Sequence, residues 1–513
     1  MAEDRAALRR ILAYVAGHPL PLLERLPIQI ADTPHRMSVA FVRMAGESSP
    51  WAIGWRIGDG APRILSVPEP RNRDLVAAMV AEFGDALTEH LSIGDEAEEE
   101  AEVEGPARQI WIGGSTDLEM LHFIALRFAR ARKADDAMLA RLNRCGRICQ
   151  ALFEWAKNPN RSTCVVAGDL LRSILVFPTE PVRTMHLGYM LAMIAPGTLA
   201  DRLQRAAAAE AQAVSTSIAP DLERNMEPLV GQWHTGSVAE RKSASERLHS
   251  ILVSEITRRL DLLQSATATL QGLGLVTSPA AAEIAARSCD AMLEFRRYDA
   301  SVAAGAPTRS PETDHDPLHA AREFAERDAD ELEATADRLH HDGMAQSDAV
   351  QSGDALRGRV TKRETIAIPP RTRRVRITLL TDGSGPLSLR AGDRTRCPLD
   401  TNAALRWVIQ SIEMTAEGRR TVVLQATHAV GTEAEPRLGS KDVVFYEASE
   451  PTLRRRLATK VWDLEHRLEM DDLPSAELVS RLRSYTEPQD PPQTDAFRTA
   501  TAETAQQMGL DDA

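Results

Sequence analysis

The stretch "LRGRVTKRETIAIPPRTRRVRITLLTDGSGPLSLRAGDRTRC", residues 356–397, alternates apolar and polar side chains between short turn sequences. Alternation with a period of two is typical of β-strands that have one buried face. Three further runs of the same kind follow up to residue 449 and bring the total to five or six strands. Regularly spaced strands with tight turns predict a small closed β-barrel, OB-like or similar, over residues 355–449.

Positive charge is concentrated in the same stretch, where twenty positions hold eight basic residues and one acid, Glu364. The basic residues are Arg357, Arg359, Lys362, Arg363, Arg371, Arg373, Arg374 and Arg376. Basic side chains on a small barrel can follow a phosphate backbone. The alternative is a solvated outer face, because natural sheet edges often carry cations. The sequence therefore predicts a nucleic-acid-binding site at these eight residues, with the solvated face as the alternative.

Strand geometry predicts how these cations are arranged, since alternate residues of a strand share a face. The predicted core residues are Ile366, Ile368, Val375, Ile377 and Leu379. Arg374 and Arg376 are therefore expected together on the outer face. If the neighbouring strand pairs with theirs, its Arg357 and Arg359 are predicted to complete one patch of four guanidiniums.

The order of the segments RGRV, LRAGDRTRC, RWVIQSIE and RTVVLQ resembles that of the accessory β-barrels of up-frameshift-type helicases. The resemblance covers fewer than a hundred residues. The helicase motifs themselves are absent from the chain. The resemblance therefore implies only a barrel that faces nucleic acid or a helicase partner.

The chain as a whole is acidic, with 61 Lys and Arg against 74 Asp and Glu and a net charge of −13. A field of this sign repels phosphate except at local basic patches, so a protein that coats nucleic acid is excluded. Five cysteines without framework spacing favour a reducing compartment, and we predict a cytoplasmic location. No run of about 18 apolar residues occurs. No membrane partner is expected.

Outward from the barrel, the patterns predict a multidomain α+β protein. The predicted segments are a β-meander plus helix at 1–94, an acidic loop at 95–107, an α/β region at 108–196, a helical region at 197–350, C-terminal helices at 450–484 and a disordered tail at 485–513. The meander is predicted over 37–67 from three alternating runs. The α/β region rests on short apolar runs that alternate with helical ones.

A glycine pair between a predicted strand and helix, Gly113 and Gly114, is the sequence's nearest approach to a phosphate loop. Thr116 and Glu119 have the spacing of a capping box, which would satisfy the same N–H groups internally. No Gly-Lys-Ser/Thr follows. The sequence favours an ordinary turn over an anion site.

Three cysteines, Cys145, Cys149 and Cys164, are the first candidates for metal ligands. The spacing of the first two places them on an apolar helical stripe, which favours buried structural thiols over a zinc site. The second candidate is a histidine group, His315 and His319 with His340 and His341. It lacks the i, i+4 pair of a zincin helix, which favours solvated caps. We predict no metal and no cofactor.

A nuclease pattern is also present, with Asp221 in "APD" and Glu240 and Lys242 in "ERK". In PD-(D/E)xK nucleases two carboxylates hold a divalent metal and the lysine helps to orient the attacking water. Here, however, Ser237 and Glu240 are spaced as a capping box at the start of a helix. The helical context argues against this pattern, which stays an alternative.

These patterns lead us to expect a non-catalytic accessory subunit of a bacterial nucleic-acid-processing or antiviral defence system. Its partners are expected to be DNA or RNA bound through the barrel, together with a protein. A metal-dependent nuclease and a pure protein-protein scaffold are the two alternatives.

Overall fold

The computed structural model describes residues 2–44, 48–93, 107–131, 136–180, 186–212, 216–306, 317–368, 372–381, 385, 387–399, 405–429 and 442–448. The predicted acidic loop, apart from its last residue, and the predicted C-terminal helices and tail lie outside these residues. None of the described helices combines the length and the apolar run that a membrane span requires.

The chain divides into two compact units. The first comprises Met1–Asp314 and Glu326–Arg454, and it contains every contact discussed below. The second comprises His315–Ala325 and Arg455–Ala513. Its described part is residues 317–325, the beginning of one helix.

The described residues form a mixed α+β structure. The helices are α1 (Ala2–Ala16), α2 (Arg73–His90), α3 (Ser115–Phe128), α4 (Asp136–Ala156), α5 (Ala167–Ile174), α6 (Leu187–Ile194), α7 (Leu199–Glu210), α8 (Pro220–Thr235), α9 (Val238–Gly272), α10 (Ala280–Ala303), α11 (Pro317–His341) and α12 (Gly343–Ser352). The strands are β1 (Leu20–Pro21), β2 (Arg25–Leu26), β3 (Arg36–Arg43), β4 (Pro50–Ile57), β5 (Arg63–Ser66), β6 (Gln109–Ile112), β7 (Cys164–Val166), β8 (Leu175–Val176), β9 (Val276–Thr277), β10 (Ala355–Ile368), β11 (Thr372–Thr381), β12 (Arg394–Arg396), β13 (Trp407–Met414), β14 (Arg420–Ala429) and β15 (Asp442–Glu447).

A five-stranded mixed sheet has the order β5-β4-β3-β6-β7. Strands β3, β4 and β5 are antiparallel, which confirms the predicted meander. Strand β6 pairs in parallel with β3, and β7 pairs in parallel with β6. The sheet therefore joins the segments 1–94 and 108–196, which the sequence patterns separate.

Helices cover both faces of this sheet. On one face, the ring of Phe83 in α2 lies 5.8 Å from Phe41 and 5.9 Å from Trp55. On the opposite face, a Cβ atom on Gly54 would lie 2.1 Å from Cγ2 of Ile256 in α9. Glycine at this position therefore permits the close approach of α9.

The central region is helical, as its periodicity predicts, and α9 is the helix that covers the sheet. Its buried residues include Leu248, Leu252, Ile256, Leu260 and Leu263, spaced three or four apart along one stripe. One hydrophobic core extends from the first strands through α9 to α12. This core includes residues from three of the predicted segments, 1–94, 108–196 and 197–350. The predicted division into domains stays a prediction.

Six strands form a closed ring in the order β10-β11-β14-β13-β12-β15, and every neighbouring pair is antiparallel. An OB-fold has about five strands, so this ring has one more. Its interior contains Trp407 and Phe445, packed edge to face at 5.7 Å. Of the predicted core residues, Val375, Ile377 and Leu379 are buried as expected. Ile366 is only partly buried, and the side chain of Ile368 lies outside the description.

Candidate nucleic-acid interface

Strand β10 extends beyond its pairing with β15, while β11 stays paired with β14 as far as Arg374. Strand β15 pairs with β10 only as far as Arg359, whereas β11 pairs with β10 along its whole length to Ile368. Beyond Arg359, the outer edge of β10 has no strand partner among the described residues. We define the basic arm as residues 362–368 of β10 and 372–376 of β11.

Five predicted site residues belong to the basic arm. Lys362, Arg363 and Arg373 are exposed, and Arg374 and Arg376 are partly buried. The expected alternation is confirmed, because Val375 and Ile377 point into the ring while Arg374 and Arg376 share its outer face. Arg371, another of the eight predicted site residues, lies outside the described residues.

The two basic residues at the start of β10 do not join this group. Arg359 is opposite Leu380, four residues along β11 from Arg376, a separation of about 13 Å. Arg359 lies 3.4 Å from Asp442, and Arg357 donates to Oγ of Ser347 at 3.2 Å. The predicted single patch of four guanidiniums is therefore wrong, because the antiparallel register separates its two halves.

Glu364 partly neutralises the basic arm. Its carboxylate lies 2.6 Å from Nζ of Lys362 and 3.8 Å from Nη1 of Arg376. The hydrogen bond from Lys362 lowers the pKa of Glu364. Gln425 of β14 accepts a hydrogen bond from Nη2 of Arg376 at 3.5 Å. Gln425 carries no sequence signal for this role, because only the pairing of β14 with β11 brings it to Arg376.

Aromatic side chains are not available on the surface of the ring. Trp407, Phe445 and Tyr446 are the only aromatic residues of 355–448, and all three are fully buried. The ring therefore cannot offer the stacked aromatic platform on which single-stranded bases usually bind.

Charge is unevenly distributed along the chain. Residues 355–448 contain 16 Lys and Arg against 10 Asp and Glu, a net charge of +6, whereas the rest of the chain carries −19. This segment therefore repels a polyanion less than the rest of the chain does when taken together.

The glycine pair lies at a turn in which the N–H of Gly114 is hydrogen-bonded within the chain. Helix α3 begins at Ser115, and the N–H of Gly114 donates to Oδ2 of Asp117 at 3.2 Å. The predicted capping box of Thr116 and Glu119 is therefore wrong, because the helix begins before Thr116. Oγ1 of Thr116 instead accepts from the N–H of Thr216 at 3.3 Å.

The chain's own groups fill the crevice at the carboxyl ends of β3 and β6, where α/β sheets usually bind ligands. Asp117 is buried there, and burial raises its pKa to about 6. The buried Arg259 of α9 donates to the carbonyls of Phe41 and, at 3.3 Å, Ser217. Ser217 also bridges to Arg43 at the end of β3. An anion has no open access to these groups.

The cysteines Cys145, Cys149 and Cys164 are buried, which confirms the structural interpretation. Burial raises the pKa of Cys164 to about 12 and that of Cys149 well above its usual range. Both groups are therefore thiols at neutral pH, whereas metals bind the thiolate.

The nuclease pattern lies entirely on helices. Asp221 is in the first turn of α8, and Glu240 and Lys242 begin α9. The predicted capping box is confirmed, since the N–H of Ser237 donates to Oε2 of Glu240 at 2.7 Å. Lys242 is exposed and lies 4.0 Å from Glu246.

One of the four histidines, His340, is in contact with the ring. Nδ1 of His340 lies 3.0 Å from the hydroxyl of Tyr446, and burial lowers the pKa of His340 to about 4. His341 is next to it and is partly buried. The prediction of solvated caps is therefore wrong for this pair, because the ring packs against the end of α11. His315 and the side chain of His319 lie outside the description.

Across the described part of the chain, no group of three or more His, Cys, Asp or Glu side chains is placed to hold a metal ion. The sequence matches no protein-family model, and no curated protein or solved structure is significantly similar to it.

Proposed function

We propose that the protein is a non-catalytic, cytoplasmic accessory subunit that binds nucleic acid through the basic arm. The observation that carries the proposal is the group of five arm cations on β10 and β11, next to the part of β10 that has no strand partner beyond Arg359 among the described residues, within a segment of net charge +6. In this proposal the ring is a small barrel of the OB-like kind that supports the arm. A bacterial nucleic-acid-processing or antiviral defence system is the proposed setting, with a protein as second partner.

Phosphate contacts are the natural chemistry of such an arm. Arginine and lysine side chains that contact phosphates position a protein without reading the bases. Paired β-strands can also enter the major groove of DNA. Because Glu364 neutralises part of the arm charge, we expect about four phosphate contacts. This number corresponds to a log-log salt slope of about −3.6 on duplex DNA.

Duplex nucleic acid is the preferred ligand in this proposal. The three aromatic residues of the ring are buried, so single-strand binding would lack base stacking. Each stacked base contributes about 1–3 kcal/mol in proteins that use such platforms. Duplex binding needs only the phosphate contacts that the arm supplies.

The nuclease alternative gains no support from the described residues, because its three groups lie on helices and Glu240 serves as a cap. The scaffold alternative is the outcome if the arm docks a protein and not a polyanion. One binding measurement distinguishes the nuclease and scaffold alternatives from our proposal.

The test is fluorescence anisotropy of the full chain with a labelled DNA duplex at about 50 and 200 mM salt, the range over which phosphate contacts are screened. The double variant Arg374→Glu, Arg376→Glu should lose about tenfold or more in affinity at the lower salt and show a flatter salt slope. The control Lys242→Glu, Arg247→Glu makes the same charge change on exposed positions of α9. It also removes the nuclease lysine.

Equal losses in the two double variants would show that net charge, not the arm, determines binding. No salt-sensitive affinity in the wild-type chain would favour the scaffold. Metal-dependent cleavage of the duplex that the Lys242 variant abolishes would favour the nuclease.

A further inference from the structure

A cleft of about 700 Å³ lies between the first strands and the last helices of the first compact unit. One wall consists of residues 22–23 and of β8, which pairs with β1. The other wall consists of the end of α11 and the inner side of α12, and α1 closes one side. A volume of this size is typical of sites for small molecules, which run from about 300 to 1,000 Å³.

Specific polar contacts connect the two walls and fix the distance between them. Asp342, which is buried, caps α12 and accepts from the backbone N–H groups of Glu24 at 2.7 Å and Arg25 at 3.1 Å. At the opposite side, Arg9 of α1 pairs with Asp348 of α12. The cleft is therefore fixed on both sides, and the space between the walls is part of the fold.

The interior of the cleft is apolar. Leu23, Leu175, Phe177 and Met190 line it and are buried, and Leu339 adds to them from α11. Such a surface binds an apolar chain or ring by removing it from water.

The charges at the mouth are balanced except for one arginine. Arg9, Arg10, Arg172 and Arg338 face Glu180, Asp348 and Asp354, a net charge of +1. Arg10 pairs with Glu180 as Arg9 does with Asp348. Within the described residues, the guanidinium of Arg338 has no ion pair or hydrogen bond. The guanidinium of Arg338, at the edge of the apolar cleft, is therefore available to pair with an anion.

Arg338 also stands where this cleft adjoins a second one of about 350 Å³, and Ser173 lines both. We propose that the cleft binds a small amphiphilic monocarboxylate, whose apolar body fills the interior and whose carboxylate pairs with Arg338. The planar guanidinium suits a carboxylate, because it forms two parallel hydrogen bonds with it. This site is independent of the basic arm.

The test uses decanoate as the anionic probe and decanol as its neutral counterpart, titrated into the full chain by calorimetry. We expect one decanoate per chain. Arg338→Gln should weaken decanoate about tenfold and leave decanol unchanged, because only the carboxylate uses the charge. Ser173→Phe, at an exposed position on the junction, should weaken both probes by filling the space. Arg297→Gln on α10 is the matched control and should change neither.

Two results would overturn the proposal. One is the absence of decanoate binding at millimolar concentration in the wild-type chain. The other is unchanged decanoate affinity in either Arg338→Gln or Ser173→Phe. Thermal unfolding of each variant confirms that a loss of binding reflects the site and not the fold.

Discussion

The five-stranded sheet and the six-stranded ring bury their strands in different ways. Strand β4 of the sheet has seven of its eight residues buried, because helices cover both faces. Strand β11 of the ring buries Val375, Ile377 and Leu379, and alternate residues reach the outer surface. A cation in the sheet is therefore buried and needs hydrogen-bond or ion-pair partners within the protein. Arg56 of β4 donates to Gln264 at 2.7 Å and to Asp261 at 2.9 Å. In the basic arm, by contrast, Lys362, Arg363 and Arg373 are exposed to water, where a ligand can reach them.

The largest effect should come from removing a buried cation. Arg259→Leu removes the donor to the carbonyl of Phe41 and the cation that interacts electrostatically with the buried Asp117, and should cost about 3–5 kcal/mol of unfolding free energy. The matched variant Arg373→Leu on the basic arm should change it by less than about 0.5 kcal/mol. Urea denaturation measures both. Equal costs would contradict the difference between the two regions.

A smaller effect is expected from the close approach of α9 to the sheet. Gly54→Ala places a Cβ at 2.1 Å from Cγ2 of Ile256, and the required shift should cost about 1–3 kcal/mol of unfolding free energy. Gly231→Ala in α8 meets nothing within 4 Å and should be neutral or slightly stabilising. The same denaturation experiment compares them. If Gly54→Ala is tolerated as well as its control, the helix does not lie so close.

The smallest effect concerns the acid within the arm. Glu364→Gln releases Lys362 and Arg376 from their ion pairs. The variant should bind duplex DNA about threefold more tightly, since exposed ion pairs are weak and their removal frees the two cations for phosphate. Its salt slope should become steeper by about one counterion. Glu413→Gln, an exposed acid of β13, is the control in the same anisotropy assay. Unchanged affinity for Glu364→Gln would show that phosphates do not contact this face.

Local patterns predicted what local interactions determine. The meander, helix α2 and the alternation around Val375 follow from periods of two and 3.6, and the structure confirms them. The cap at Ser237 could also be predicted, because a cap depends on residues three apart. In contrast, the spacing of Thr116 and Glu119 predicts the cap of α3 two residues later than the structure has it, because Gly114 and Asp117 also lie three residues apart.

Contacts between segments that are distant in sequence could not be predicted from the local patterns. Neither the parallel pairing of β3 with β6 nor the contact of Gly54 with α9 leaves a signal within either segment. The same holds for the cleft around Arg338, whose lining comes from three separate stretches of the chain, within residues 9–23, 172–190 and 335–354. In the arm, composition identified the cations. The register that separates Arg359 from Arg376 became visible only with the strands paired.

The closure of the sheet by α9 has a consequence for how the protein is made. Arg56 and Gln264 form a hydrogen bond across 208 positions of the chain. At a synthesis rate of about 5–20 residues per second, the sheet face next to α9 therefore waits about 10–40 s on the ribosome before its cover exists. During that interval, an apolar surface with three antiparallel strands is open to other chains. We expect nascent-chain chaperones to bind the chain between the completion of β5 and the emergence of α9.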